Sequence, residues 1–271
     1  MIEMVGLTDP GRVRAENEDA IGLVPEMGLA ILADGMGGHR AGEVASRIAV
    51  EVIRDYLAAA AARRAASGAA GAAAAVEEGR LLCESIREAN AAIYRTARER
   101  PECAGMGTTI VAMLLRGDKV YFAHVGDSRL YRFRAGRLEP LTRDHSVVQE
   151  LVNRGLLTEP EARATIAKNL VTRALGVEPQ VEVDCGEATF QGSDIFLLCS
   201  DGLNDVLDDE EIARLLAEEP GRDLAAIAEA MIRSANARGG PDNISVILAR
   251  SGVPFEHRPA PGGGAACSAL S

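Results

Sequence analysis

Tryptophan is absent from this chain, and four Tyr and five Phe are its only other large aromatics among 271 residues. A core must therefore be packed by Val, Ile, Leu and Ala, in keeping with an apolar content of 47%, ordinary for a globular protein. Long apolar runs are missing too. Nothing approaches the ~18–20 residues needed to span a bilayer, and the Ala-rich stretch near 57–76 is broken by Arg63, Arg64 and Gly68. Met1-Ile2-Glu3-Met4 opens no apolar segment of signal-peptide length. Cysteine is sparse: Cys83, Cys103, Cys185, Cys199 and Cys267 are odd in number and share no Cys-x-x-Cys spacing. That argues against zinc and for a reduced, cytoplasmic chain with free thiols. Positive charge is also short, with 29 Lys and Arg against 40 Asp and Glu, a formal charge of −11. So acidic a chain repels phosphate backbones and anionic lipid, so neither nucleic acid nor a membrane is an expected partner.

What the chain does have is a set of short β-rich apolar runs bounded by Gly or Asp. They are 28–33, 108–115, 120–125, 195–199 and 244–249, with 129–133 expected as the return strand of a hairpin turning at Gly126-Asp127. Arg134-Ala135-Gly136-Arg137 suits another tight turn. Helical spacing marks 43–60 through Val44, Ile48, Val52 and Tyr56-Leu57, and 81–98 through Leu82, Ile86, Ala89 and Ile93. A third helix is expected over 224–235. A short one should start at Asp208, whose following acids complement an N-terminal helix dipole. Residues 58–80 either extend the two long helices or connect them loosely. Residues 140–180 are polar and strand-poor, with short helices expected over 149–154 and 159–168. They form an excursion over one edge of the core. The Gly- and Pro-rich end, 253–271, is expected to be disordered, leaving 1–252 as the folded domain. Two long helices between strands, and a helix before the last strand, predict mixed α and β layers, not alternating βαβ units.

The informative feature is the position of the aspartates. Asp34-Gly35 follows the run 29–33, Asp127 follows 120–126, Asp201-Gly202 follows 195–200, and Asp242-Asn243 precedes 244–248. Strand tips brought together in one sheet system would bring these carboxylates together. Clustered, they must protonate or share cations. Oxygen ligands without a His or Cys set favour Mg²⁺ or Mn²⁺. Two such ions roughly 3.5–4 Å apart can activate a water and stabilise phosphoryl oxygens in an in-line attack. Taken singly, each Asp-Gly or Gly-Asp equally marks an ordinary turn. That reading leaves four strand-end acids and the Glu18-Asp19 pair unrelated.

Other phosphate signatures fail. Gly35-Met36-Gly37-Gly38-His39-Arg40 breaks the dinucleotide fingerprint at its last position, and Glu43-Val44 stands where a P-loop needs Lys and Ser or Thr. Asp201 to Asp205 lacks the oxygen ligand and the Gly of an EF-hand loop.

In order along the chain, Arg14-Ala15-Glu16-Asn17-Glu18-Asp19-Ala20, Ala33-Asp34-Gly35-Met36-Gly37-Gly38, Met106-Gly107-Thr108-Thr109, Val125-Gly126-Asp127-Ser128-Arg129, Ser200-Asp201-Gly202-Leu203 and Asp242-Asn243-Ile244-Ser245 resemble the metal-dependent serine/threonine protein phosphatases called PPM or type 2C. The likeness runs over about 5–250, and the compact Met-Gly-Gly form resembles bacterial members. The resemblance implies an α+β fold, a four-layer α-β-β-α sandwich of two antiparallel sheets flanked by helices, with 140–180 as a flap subdomain. It implies two Mn²⁺ or Mg²⁺ ions per chain, one held by Asp34, Asp201 and Asp242, the other by Asp34 and the carbonyl of Gly35. Asp127 with Asp201 would support a weaker third ion, and Glu18 or Asp19 would reach the metal shell. Arg14 is similar to the arginine that clamps the substrate phosphate, a task suited to a bidentate guanidinium. Where animal relatives carry a His after the first Asp-Gly, Met36 stands here. His39, three residues on, is then the candidate general acid, with solvent or a metal-bound water as alternatives. His124 is expected to be structural, and His145 to be structural or substrate-facing. The implied partners are phosphorylated proteins, namely bacterial Ser/Thr kinases and their substrates, met by a monomer in the cytoplasm.

Three rivals remain on sequence alone: a catalytically dead binding protein on this fold, a small-metabolite phosphatase with the same metal centre, and a purely structural acidic domain. The presence of every expected Asp opposes the first. The third predicts no metal dependence at all, and a comparison of phosphopeptides with sugar phosphates separates the second.

Overall fold

The computed structural model describes residues 2–37, 41–67, 73–158, 161, 170–217 and 223–251. The first sheet has the strand order β1 (Ile2–Asp9), β11 (Ile244–Ser251), β10 (Ile195–Cys199), β7 (Arg129–Arg134) and β8 (Arg137–Pro140). The second runs β2 (Asp19–Val24), β3 (Leu29–Met36), β5 (Ile110–Arg116), β6 (Lys119–Val125) and β9 (Asp184–Thr189), with the two-residue β4 (Gly107–Thr108) pairing on β3. Neighbouring strands pair antiparallel throughout.

Strand periodicity sorts the apolar residues into three cores, because successive side chains point to opposite faces. On β3, Leu29, Ile31 and Ala33 pack under the two long helices α1 (Ala41–Ser67) and α2 (Ala73–Glu99), against Ala45, Ile53, Leu82 and Ile86. Ala30 and Leu32 point the other way and meet Phe196, Leu198 and Ile247 between the sheets. On β11, Val246 and Leu248 pack under α5 (Asp209–Ala217) and α6 (Leu224–Ala237), against Ile212, Ile227 and Met231. The result is the α-β-β-α sandwich. Asp208 opens α5 by accepting a hydrogen bond from the Glu211 amide at 2.8 Å, the expected N-cap. The described parts of 58–80 continue both long helices, to Ser67 and from Ala73.

Several expectations are corrected. The runs 120–125 and 129–133 are not a hairpin: β6 and β7 belong to different sheets, and Gly126 (φ 107°) carries the chain across the sandwich. A Cβ there would meet Thr109 at 2.6 Å. The hairpin of β7 is with β8, through Ala135 (φ 49°) and Gly136 (φ 79°), two left-handed residues that match a twisted two-residue turn. Strands β1, β2, β8 and β9 had no counterpart among the expected runs. The thiols are not all free, because α2 lies along β9 and joins Cys83 to Cys185, Cα atoms 6.7 Å apart; Cys103 and Cys199 are buried and unbonded. Within 140–180 the described helix is α3 (Val147–Asn153), capped by Ser146. The expected helix over 159–168 and the tail from 253 lie outside the described residues. None of the described helices is long and apolar enough to cross a membrane.

Candidate metal centre and phosphate site

Strand register decides which acids meet. Asp19 faces Asp34 across β2 and β3. In the other sheet Cys199 faces both Arg129 and Val246, so the residues just beyond these positions, Asp201, Asp127 and Asp242, lie at one end of it. Asp201 opens the short helix α4 (Asp201–Asn204). All five acids face the same end of the sandwich: the charges of Asp19, Asp201, Asp127 and Asp242 all bear on Asp34.

Several carboxylate oxygens here are buried without partners. Asp19 Oδ2 accepts hydrogen bonds from Ser245 Oγ (2.6 Å) and Ser200 Oγ (2.9 Å). Its Oδ1 has none, nor have Asp201 Oδ1 and Glu18 Oε1, all three shielded from solvent. Burial first, and then the neighbouring acids, push Asp34 and Asp201 well above the usual carboxylate range. Burial likewise raises Asp19 and Asp127 to about 6. An all-oxygen donor set with orphaned, charge-strained oxygens fits hard divalent cations.

The glycines hold this end of the sandwich closed. A Cβ on Gly202 would lie 2.0 Å from the Asn243 carbonyl, and one on Gly35 would lie 2.3 Å from that of Gly42. Gly202→Ala is therefore expected to lower stability by roughly 1–3 kcal/mol, read as a fall in the denaturant midpoint. An unchanged midpoint would mean that the two strand tips are not in contact.

Sequence reasoning quoted Asn243 and Ser245 without giving them a task. Asn243, buried, donates to the carbonyls of Pro10 (3.0 Å) and Glu16 (2.9 Å) and accepts from the Glu18 amide (2.9 Å). It pins the loop that carries Arg14. Thr108 Oγ1 donates to the Asp34 carbonyl (2.8 Å), and Thr109 Oγ1 accepts from the Asp34 amide (3.2 Å). The signal was polar residues at the ends of otherwise apolar runs. Glu18 and Asp19 point apart: Glu18 turns to the start of α1, where the Gly42 amide bonds it, and burial raises it. Arg14, half exposed, donates from Nη2 to Asp242 Oδ2 at 2.8 Å. It lines a groove of about 690 Å³ together with Glu16, Glu18, Gly37, Glu102 and Asn243. His39 lies outside the described residues. His124 and His145 stack at 4.6 Å beside Asp184, with His145 bonded to Gly126, the residue before Asp127.

The protein phosphatase 2C family model matches residues 12–249. The chain belongs to the protein phosphatase 2C family. Its relatives within this 2C family include the serine/threonine phosphatase stp of Listeria monocytogenes, 40% identical over 244 residues, 89% of this chain and 92% of that one. The serine/threonine phosphatase of S. agalactiae superposes with a TM-score of 0.81 at 38% identity, covering 93% of this chain and 100% of that one. The catalytic domain of the phosphatase PstP, solved with two manganese ions, gives 0.75 at 36% identity, with 92% and 97% covered. The layers described above are thus those of a 2C phosphatase.

Proposed function

We propose that this chain releases phosphate from phosphoserine and phosphothreonine in other proteins, opposing bacterial Ser/Thr kinases. It is a metal-dependent hydrolase. The observation that carries this reading is the convergence of five strand-end aspartates, with orphaned buried oxygens, beside an arginine at an open groove. Asp34, Asp201 and Asp242 hold one Mn²⁺ or Mg²⁺, and Asp34 with the Gly35 carbonyl the other. Asp127 with Asp201 supports a weaker third ion, and Glu18 or Asp19 reaches the shell. When bound, such ions supply a nucleophilic water of lowered pKa and neutralise phosphoryl charge.

The chain's own residues do the rest. Ser200 and Ser245 fix the side chain of Asp19 through one oxygen, leaving the other for the ions. Arg14, held in place by Asp242, exchanges that partner for two oxygens of the incoming phosphate, a bidentate match. Asn243 keeps its loop in register with the metal end. The groove leaves room for the polypeptide on either side of the phosphorylated residue, and His39 is placed in sequence to protonate the leaving oxygen. The enzyme acts as a monomer in the cytoplasm, where the reducing pool sets the state of Cys83 and Cys185.

Purified protein should release phosphate from a phosphothreonine peptide with Mn²⁺, lose this activity with EDTA, and act far more slowly on sugar phosphates. A folded protein inactive with Mn²⁺, or one that prefers the sugar phosphates, would overturn the proposal.

A further inference from the structure

The loop Gly126–Arg129, which carries Asp127 between the sheets, is gripped from one neighbouring pair of residues. Arg129 donates to both oxygens of Asp144, from Nε at 2.8 Å and from Nη2 at 2.7 Å. His145 bonds Gly126 twice. Its backbone amide donates to the Gly126 carbonyl at 2.9 Å, and its ring Nδ1 accepts from the Gly126 amide at 3.1 Å. The same residue holds the flap. The Thr172 amide donates to the His145 carbonyl at 2.7 Å, the Val147 amide donates to the Leu170 carbonyl at 3.0 Å, and Ser146 bridges to Val171. Residues 145–147 therefore pair with 170–172 inside the flap, next to the turn that carries Asp127.

Because Gly126 N–H points at Nδ1, the neutral ring carries its proton on Nε2, which lies 3.4 Å from Asp184 Oδ2 and 3.2 Å from Arg173 Nη1. Burial, then His124 and then Arg173, disfavour a second proton, while Asp184 favours one. His124 stacks on the ring and donates from Nε2 to the Arg143 carbonyl at 2.8 Å. Arg173 binds Asp184 Oδ1 at 2.8 Å and the Glu182 carbonyl at 3.2 Å. These contacts also decide against a transition metal here, although His124, His145 and Asp184 bring ligating atoms within 4.8 Å of one another. The Nε2 lone pair such an ion needs is occupied by a proton, and the Arg173 guanidinium already supplies the positive charge.

We propose that His145 is a positioning residue: while its backbone carbonyl pairs with Thr172, its Nδ1 acceptor fixes the Gly126–Asp127 turn. It does so as one acceptor atom in one place, so a residue with an oxygen at that place should substitute for it. Asn has one, since Oδ1 is as far along the side chain as Nδ1. The role of Asp127 as a ligand rests on the function proposed above; the hold on Gly126 does not.

The test compares His145→Ala with His145→Asn in the full chain. In the metal-free protein, hydrogen exchange at the Gly126 amide should speed up by about tenfold or more in His145→Ala and stay near wild type in His145→Asn. By calorimetry, His145→Ala should weaken the weakest Mn²⁺ event by about tenfold, with His145→Asn restoring it. Equal exchange at Gly126 in both variants and wild type would overturn the hold itself. Faster exchange with unchanged Mn²⁺ binding would leave the hold intact, and overturn instead the reading of Asp127 as a ligand. If His145→Ala does not fold, wild-type-like exchange in His145→Asn against fast exchange in His145→Leu supports the same conclusion, and fast exchange in both overturns it.

Discussion

Replacing Asp34 by Asn is expected to cut turnover by roughly 10³-fold or more and, at the same time, to raise the melting temperature of the metal-free protein. The two effects have one cause. Asp34 is buried beside four other carboxylates, and burial with their charges pushes its carboxyl well above the usual range. In the metal-free state that is strain, which an uncharged isostere relieves. With cations present, the same carboxylate is the ligand proposed to be shared between the two ions, and an amide oxygen is a far poorer one. The backbone around it should not move, because its amide and carbonyl are held by Thr109 and Thr108 independently of the side chain. Each kcal/mol of relieved repulsion should appear as about 2–4 °C of melting temperature for a domain of this size. Steady-state rates at saturating Mn²⁺ and thermal melts in EDTA check the pair. Near-full turnover sinks the assignment of Asp34 to the chemistry, and a lower metal-free melting temperature sinks the account of strain.

Much of this site was legible because central strands announce themselves. The runs 195–199 and 244–249 are apolar on both faces, each face having a core to fill, and the acids at their tips could be placed without knowing the topology. What stayed hidden was the pairing. Strand β9 is half exposed at a sheet edge and reads Asp-Cys-Gly-Glu-Ala-Thr, a pattern no periodicity distinguishes from a loop. β1 is half buried along most of its length. The apparent hairpin at Gly126-Asp127 misled because two strands separated by a Gly-Asp turn look alike whether they pair or part to opposite sheets. Only the packing of Gly126 against Thr109 and His145 decides it. The hydroxyls of Ser200 and Ser245 escaped notice for a related reason. In sequence they are small residues beside strand ends, and their task exists only because Asp19, about 180 and 225 residues away, is brought between them.

Mn²⁺ binding should displace protons, and its affinity should climb steeply through pH 6. Asp19 and Asp127 ionise at about 6 in the metal-free fold, and Asp34 and Asp201 are raised as well. Below that pH the cluster holds protons that cations must expel, so apparent affinity should rise by up to about tenfold per pH unit for each proton displaced. The sign for folding is the opposite. A carboxyl raised above its unfolded value contributes stability at pH below about 4, and that contribution is lost as pH rises through about 6. Asp19 and Asp127 then withdraw stability from the metal-free protein as pH rises to neutral. His124 and His145, both lowered chiefly by burial, act the other way and withdraw stability as pH falls below about 6.5. Calorimetry separates the two, since proton release on Mn²⁺ binding reports the carboxylates alone: the observed heat should depend on the ionisation enthalpy of the buffer near pH 6, and less so as pH rises. Heat independent of buffer at pH 6, with flat affinity from 5.5 to 7.5, would mean that the cations bind somewhere other than among these aspartates.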